Sequence, residues 1–145
     1  MSFIKKVYID ASEGNKKHSL HSGVCIVHDK KYCAIPIRKC GINCAEMQAY
    51  KLALNRITMR PILIVTDSKH VMAHAKSVAE TCTVGLYWQK RNSCLEQEIA
   101  DMFCKLSAKT GMTFQGTFKD IKIQLEKHPN TFWHPLYQEL VAKLG

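Results

Sequence analysis

Three acidic residues stand in frames that suit a shared metal site. They are Asp10 in Val7-Tyr8-Ile9-Asp10-Ala11-Ser12, Glu46 in Asn43-Cys44-Ala45-Glu46-Met47-Gln48-Ala49, and Asp67 in Leu63-Ile64-Val65-Thr66-Asp67-Ser68. Asp10 and Asp67 end apolar runs that read as strands, and Glu46 falls on the apolar face of a helix. Carboxylates set against a core are costly unless something positive lies between them. Hard, oxygen-loving ions such as Mg²⁺ or Mn²⁺ relieve that repulsion. Two such ions, about 4 Å apart, can activate a water and stabilise the leaving oxygen of a phosphodiester. Each residue also has a plainer reading: Asp10 as a turn residue, Asp67 as a helix N-cap, Glu46 as one half of a capping box. The order of the elements favours the shared site, because it brings all three to one place.

Those elements follow from pattern and punctuation. Residues 5–10 read as a strand, and a polar turn with Gly14 and Asn15 follows it. Residues 20–28 and 31–37 are two more strands, joined at Asp29-Lys30 as a hairpin. Asn43 is a preferred N-cap with Glu46 three residues on, which predicts a helix opened by a capping box. The stripe Ala49, Tyr50, Ala53, Leu54, Ile57 has helical spacing, and Glu46 is in phase with it. The continuous run Pro61–Val65 predicts a central strand covered on both faces. A helix follows from Ser68, with Val71, Ala75, Val78 and Ala79 in phase. Residues 81–93 read as a loop, and residues 95–108 as a helix with Leu95, Ile99, Met102, Phe103 and Leu106 on one face. Thr110-Gly111 ends that helix. Met112–Phe118 alternates like a strand, and Ile121–Leu125 fits either a strand or a helix. His134-Pro135 opens a last helix, packed through Leu136, Leu140, Val141 and Leu144. The sum is an α/β chain with a mixed sheet whose crossover helix is right-handed. If the first and fourth strands are parallel neighbours, Asp10 and Asp67 leave the sheet at the same edge, where ligand sites in α/β sheets form.

The whole chain narrows the partner. Its 145 residues suit one domain with a real core, spanning 1–145. Lys and Arg number 21 against 12 Asp and Glu, a net charge of +9. That balance favours a polyanion, most simply nucleic acid, over a basic surface kept for solubility. No apolar run nears the roughly 20 residues of a membrane span. The N-terminus lacks the long apolar region of a secretory signal, so the expected location is intracellular, the cytoplasm included. Seven scattered cysteines without a Cys-x-x-Cys pair read as reduced, mostly buried thiols. Cys40 and Cys44 lack the nearby His or Cys pair that would complete a zinc site.

On the three motifs together, the chain resembles ribonuclease H of type I, within the ribonuclease H-like superfamily. Val7–Ser12 is similar to that family's first-strand motif, which usually reads Asp-Gly-Ser. Asn43-Cys44-Ala45-Glu46 with Ala49, Ala53 and Leu54 resembles its Asn-x-x-Glu helix motif. Val65-Thr66-Asp67-Ser68 matches its Thr-Asp-Ser motif unchanged. The likeness runs from about residue 5 to 77, and it is the ordered triple that makes it specific. It implies a mixed five-stranded sheet flanked by helices. It also implies two-metal hydrolysis of the RNA strand of an RNA–DNA hybrid, with Asp10, Glu46 and Asp67 holding Mg²⁺ or Mn²⁺. By the same resemblance Asn43 and Ser68 touch nucleic-acid backbone or sugar, although both are also good N-caps. The segment with Trp88, Lys90 and Arg91 is similar in placement to a basic substrate handle, although Trp88 equally suits a core anchor.

The C-terminus departs from the family. There a strand, a loop histidine and a fourth carboxylate on the last helix are expected, and this chain has no Asp after Asp120. Glu139 is the leading candidate for that ligand, with Gln138 and His134 as alternatives. His128 falls at the loop histidine, as proton carrier or as a turn residue before Pro129. The leading expectation is therefore a metal-dependent endoribonuclease. The competitors are a ribonuclease H-like binding module with weakened catalysis, a nuclease for another structured nucleic acid such as a DNA junction, and a protein-interaction domain with an incidental basic surface. Oligomeric state is open.

Overall fold

A computed structural model describes residues 5–15, 19–75, 83–91, 93–126 and 142. Six strands form one mixed sheet: β1 (Lys5–Ser12), β2 (His21–His28), β3 (Lys31–Arg38), β4 (Ile62–Thr66), β5 (Val84–Trp88) and β6 (Phe114–Thr117). Their order is β5-β4-β1-β2-β3-β6. β1 pairs in parallel with β4, and β4 with β5, while the β1–β2, β2–β3 and β3–β6 pairs are antiparallel. The β2–β3 turn is the expected two-residue hairpin. Asp29 and Lys30 take φ of 52° and 58°, the left-handed pair that such a turn needs.

The helices divide between the two faces of the sheet. On one face, α1 (Ile42–Arg56) and α2 (Lys69–Ala75) cover Val7, Ile9, Ala11, Val24, Ile26, Ile62 and Ile64, with Ala45, Ala49, Tyr50 and Ala53 as the α1 contribution. On the other face, α3 (Leu95–Thr110) packs on β1, β2 and β3. There Phe103 stacks on Tyr32 at 4.3 Å between ring centres and meets Phe114 at 6.0 Å. A short 3₁₀ turn (Phe118–Asp120) and α4 (Ile121–Glu126) close that side, burying Ile121 and Leu125.

Two glycines are needed for this packing. Gly111 ends α3 at φ 69°, in the left-handed conformation expected of it. Gly23 lets α3 lie directly on β2, because a Cβ there would stand 2.0 Å from the Cys104 carbonyl oxygen and 2.8 Å from the Ala108 nitrogen.

Three local expectations are corrected. The sheet has six strands where five were implied, because residues 84–88, read as part of a loop, pair in parallel with β4. Gly85 interrupts that strand, and Tyr87 and Trp88 are exposed, so no apolar alternation marks it. Second, α1 begins one residue before Asn43. Gly41 is its N-cap and no side chain caps it, so Asn43 and Glu46 form no capping box. Third, of the two readings for Ile121–Leu125, the helical one holds. The last helix expected from His134 lies outside the described residues. Among the described residues, no helix is long and apolar enough to cross a membrane, and six cysteines are free thiols.

Candidate active site

The parallel pairing of β1 with β4 does what the sequence order required. Lys5 stands opposite Ile62 and Tyr8 opposite Val65, so the chain leaves both strands at one edge of the sheet. Asp10 is near the end of β1, and Asp67 follows β4 directly. Glu46 comes from the second turn of α1, in the buried stripe of Ala45, Ala49, Tyr50 and Ala53. One carboxylate oxygen from each of Asp10, Glu46 and Asp67 lies within 4.8 Å of the other two. Asp10 and Glu46 are both only 4% exposed.

Such a group is unstable without a counter-charge. Two full charges within 4.8 Å of each other repel by at least about 3 kcal/mol at an effective dielectric constant near 20. Burial first, then the neighbouring Asp67, Glu46 and Asp101, hold the Asp10 carboxyl well above the usual carboxylate range. Burial and Asp67 push Glu46 up to about 8, with Arg91 opposing. Burial among carboxylates therefore favours the protonated form of Glu46 in the ion-free protein. Its Oε2 and the Asp67 Oδ1 are buried with no hydrogen-bond partner. Buried polar atoms are normally paired, and these two belong to residues of the three-carboxylate group, whose donors are all oxygen. A hard divalent cation fits that set.

The remaining contacts hold the carboxylates in place. The Ala11 amide donates to Asp10 Oδ1 at 2.8 Å. Arg91 Nε donates to Asp67 Oδ2 at 2.9 Å, and this bond is the main cause of the rise in the Arg91 pKa. The Trp88 indole N–H donates to the Asp67 carbonyl at 3.1 Å. The turn from β4 into α2 is fixed by the Ser68 amide donating to Thr66 Oγ1 at 3.0 Å and the Val71 amide donating to Ser68 Oγ at 3.1 Å. Ser68 is thus the N-cap of α2, while Asp67 is left for the cluster.

A fourth carboxylate comes from a place that sequence reasoning missed. Asp101, in the middle of α3 and 1% exposed, brings an oxygen within 4.8 Å of one on Asp10. Lys105 pairs with it at 3.1 Å, one turn along the helix. Its signal was present: Asp101 is the one charge inside Ile99–Cys104, the most apolar stretch of the helix. The family pattern places a fourth acidic residue on the last helix, beyond Asp120, and so points away from α3. The residues proposed there, Glu139, Gln138, His134 and His128, all lie outside the described residues.

A groove of about 440 Å³ opens beside the cluster, lined among others by Asn43, Glu46, Asp67, Ser68, Trp88 and Arg91. The sequence-predicted contact residues are thus gathered, with one exception: Lys90 is exposed nearby but does not line the groove. Trp88 is 42% exposed, so it is no core anchor, and Lys69 lies over its ring at 5.7 Å. Lys69 and His70, which also line the groove, were not singled out from sequence. The uncapped start of α1 adds backbone N–H groups at Ile42 and Asn43, a natural place for an anion. The arrangement pairs a cation-seeking cluster with an anion-seeking rim, as hydrolysis of a phosphodiester needs.

The RNase H family model matches residues 4–127. A search of curated proteins found no match. The matched span takes in all four carboxylates, the groove and every strand among the described residues, and the chain belongs to the ribonuclease H family, whose members are nucleic-acid hydrolases.

Proposed function

We propose that this chain is a metal-dependent endoribonuclease that hydrolyses the RNA strand of RNA–DNA hybrids. The observation that carries the reading is the convergence of Asp10, Glu46 and Asp67, with Asp101 beside Asp10 and unpartnered buried oxygens on Glu46 and Asp67, next to a basic groove. Asp10, Glu46 and Asp67 would hold one Mg²⁺ or Mn²⁺, and Asp10 with Asp101 a second. When bound, such ions activate a water and neutralise charge on the phosphate.

The other steps belong to the protein. Glu46 would hold a cation through its carboxylate, its proton passing to solvent. Arg91 fixes Asp67 and turns further donors toward the groove. Lys69, the Asn43 amide and the α1 N–H groups contact phosphate oxygens, which sets the register of the duplex without reading its sequence. Ser68 Oγ accepts the Val71 amide and keeps its own proton to donate to a ribose 2′-hydroxyl, the group that distinguishes RNA from DNA. Trp88 offers an exposed ring edge to sugar. The net charge of +9 draws the polyanion in, and the free thiols fit a reducing, intracellular setting.

The test offers labelled RNA–DNA hybrid, double-stranded RNA, double-stranded DNA and a four-way junction, each with Mg²⁺, Mn²⁺ or EDTA. The expected result is cutting of the hybrid alone, dependent on metal and lost in Asp10→Asn. Tight binding without cutting under any metal would overturn the reading and favour a binding module. Cutting confined to the junction would reassign the substrate.

A further inference from the structure

α1 packs on β1 and β2 and leaves the outer part of the same sheet face, toward β6, open. A cavity of about 400 Å³ lies there, within the range of sites that take a small molecule. Strand register builds its floor. Side chains alternate along a strand, and Tyr32, Ala34 and Phe114 belong to the core on the α3 side, so Cys33 and Gln115 face the cavity. Ile26 stands opposite Cys33, and Cys33 opposite Gln115. Two residues further along each strand, His28 stands opposite Lys31, and Lys31 opposite Thr117. Two rows of side chains thus cross β2, β3 and β6 on one face. Arg56 and Ile57, at the end of α1, form a further wall. Arg56 is ten positions from Glu46 on α1, about 15 Å at 1.5 Å per residue, so this cavity is separate from the metal cluster.

The lining carries charge of one sign. Lys31 and Arg56 are its charged residues, with His28 beside them, and among the described residues that line it none is acidic. Neither Lys31 nor Arg56 pairs with a carboxylate among the described residues. The acids nearest in sequence do not line it: Asp29 is exposed in the β2–β3 turn, and Asp120 already accepts from the Thr117 amide and hydroxyl. Two cations facing one cavity repel, and an anion between them removes that cost. The floor is different. Ile26 is buried and, with Cys33 and Ile57, offers an apolar surface suited to a ring. Burial raises the Cys33 thiol and the Arg56 charge opposes that rise, so the guanidinium acts over this floor. At its edge stands Gln115, whose side-chain amide is engaged by no other described residue. A glutamine amide can pair twice with the amino group and ring nitrogen of adenine.

We propose that this cavity is a binding site for an adenine nucleotide. The ring lies on Ile26, Cys33 and Ile57, with its amino edge at Gln115. The phosphate meets Arg56 and Lys31. Arg56 suits that task because its planar fork matches two phosphate oxygens at once. Ring and phosphate are both needed, since the floor offers no charge and the rim little apolar surface. The site is separate from the proposed hydrolysis and does not depend on it.

The experiment is a calorimetric titration of the full chain, in EDTA, with adenosine monophosphate. One site is expected, with a dissociation constant of about 1 mM or tighter. Adenosine, which lacks the phosphate, and ribose phosphate, which lacks the ring, should each bind at least about tenfold more weakly, the scale of one lost contact to a charged group. Arg56→Glu and Gln115→Leu should each raise the nucleotide's dissociation constant by about tenfold or more. Both positions are exposed, so the fold is kept. Arg91→Ala, in the groove beside the metal cluster, should leave that constant unchanged. A wild-type chain that does not bind the nucleotide overturns the proposal. So does unchanged binding in Arg56→Glu, ribose phosphate binding as tightly as the nucleotide, or a loss confined to Arg91→Ala. An oligoglutamate peptide that binds more tightly than the nucleotide, and is lost in Arg56→Glu, would give this face to an acidic protein and overturn it too. Metal-dependent cutting without nucleotide binding sinks this site alone; nucleotide binding without cutting sinks only the proposed function.

Discussion

α1 and α3 lie on opposite faces of one sheet, and each brings a carboxylate to Asp10, but they do so in different ways. α1 buries five of its 15 residues and delivers Glu46 near an uncapped end that opens on the groove. α3 buries 11 of its 16 residues and delivers Asp101 from its middle, paired to Lys105 and sealed against β2 at Gly23. Glu46 has no such cation of its own and answers burial by holding its proton, with a pKa of about 8. The open side faces the groove lined by Asn43, Glu46, Asp67 and Arg91. The closed side sets the distances that the open side works against.

The largest effect should come from the residue that both sides share. Asp10→Asn leaves the backbone intact and removes the carboxylate common to both sides. Single-turnover cutting of hybrid should fall by about a thousandfold or more, roughly 4 kcal/mol of barrier. In EDTA at pH 8 the same variant should melt above wild type, because a repulsive charge has gone. A variant that loses activity and also melts lower would mean that Asp10 is held by structural contacts rather than by a cation.

Next in size is the contrast between Glu46→Gln and Asp101→Asn. Each should lower cutting by about a hundredfold or more, the scale of a lost electrostatic contact at a reacting centre. They should differ in their pH behaviour without metal. Glu46 binds its proton more tightly folded than unfolded, so its contribution to stability is complete below pH 4.5. That contribution shrinks as pH rises and is lost above about 8. Asp10, also raised, adds a decline of the same sign. Wild-type protein in EDTA should therefore lose on the order of a few kcal/mol across that window, and Mg²⁺ should restore it at the alkaline end. Glu46→Gln should flatten the decline. An equally steep decline in Glu46→Gln, followed by chemical denaturation at each pH, would show that Glu46 is not the group responsible.

How much of this was legible in the sequence divides along the same line. The open side was readable because its residues sit where pattern is strong: Asp10 and Asp67 end apolar runs, and Glu46 is in phase with an apolar stripe. The hairpin at Asp29-Lys30 and the stop at Gly111 were readable because turn chemistry is local. The closed side was not. Asp101 is surrounded by apolar neighbours on both sides in sequence, so the helix reads as a packing element and its acid is easily passed over. β5 was missed because an edge strand with Gly85 and two exposed aromatics carries no alternation. The capping box at Asn43 failed because the helix begins earlier, with Gly41 at the N-cap and no side chain there to cap it.

Gly23→Ala tests whether the closed side sets the geometry. The added methyl would meet the Cys104 carbonyl at 2.0 Å, so α3 must move outward. Overpacking of this kind should cost about 1–3 kcal/mol, read as a shift in the denaturation midpoint. Cutting should fall with it, because Asp101 moves away from Asp10 while Glu46 stays. Full activity in folded Gly23→Ala would show that α3 serves only the core.

The smallest effect is expected at the rim. Arg91 is half exposed in its pair with Asp67, and exposed ion pairs contribute about 0–1 kcal/mol, so Arg91→Ala should change stability by less than that. Its influence should appear in substrate binding instead. If Arg91 also meets a phosphate, the slope of log affinity for hybrid against log salt should shrink by about one unit. If its whole task is to hold Asp67, the salt slope should stay put and the affinity for Mg²⁺ should change instead. The two outcomes assign Arg91 either to the substrate groove or to the metal cluster, and so mark where the open side of the site ends.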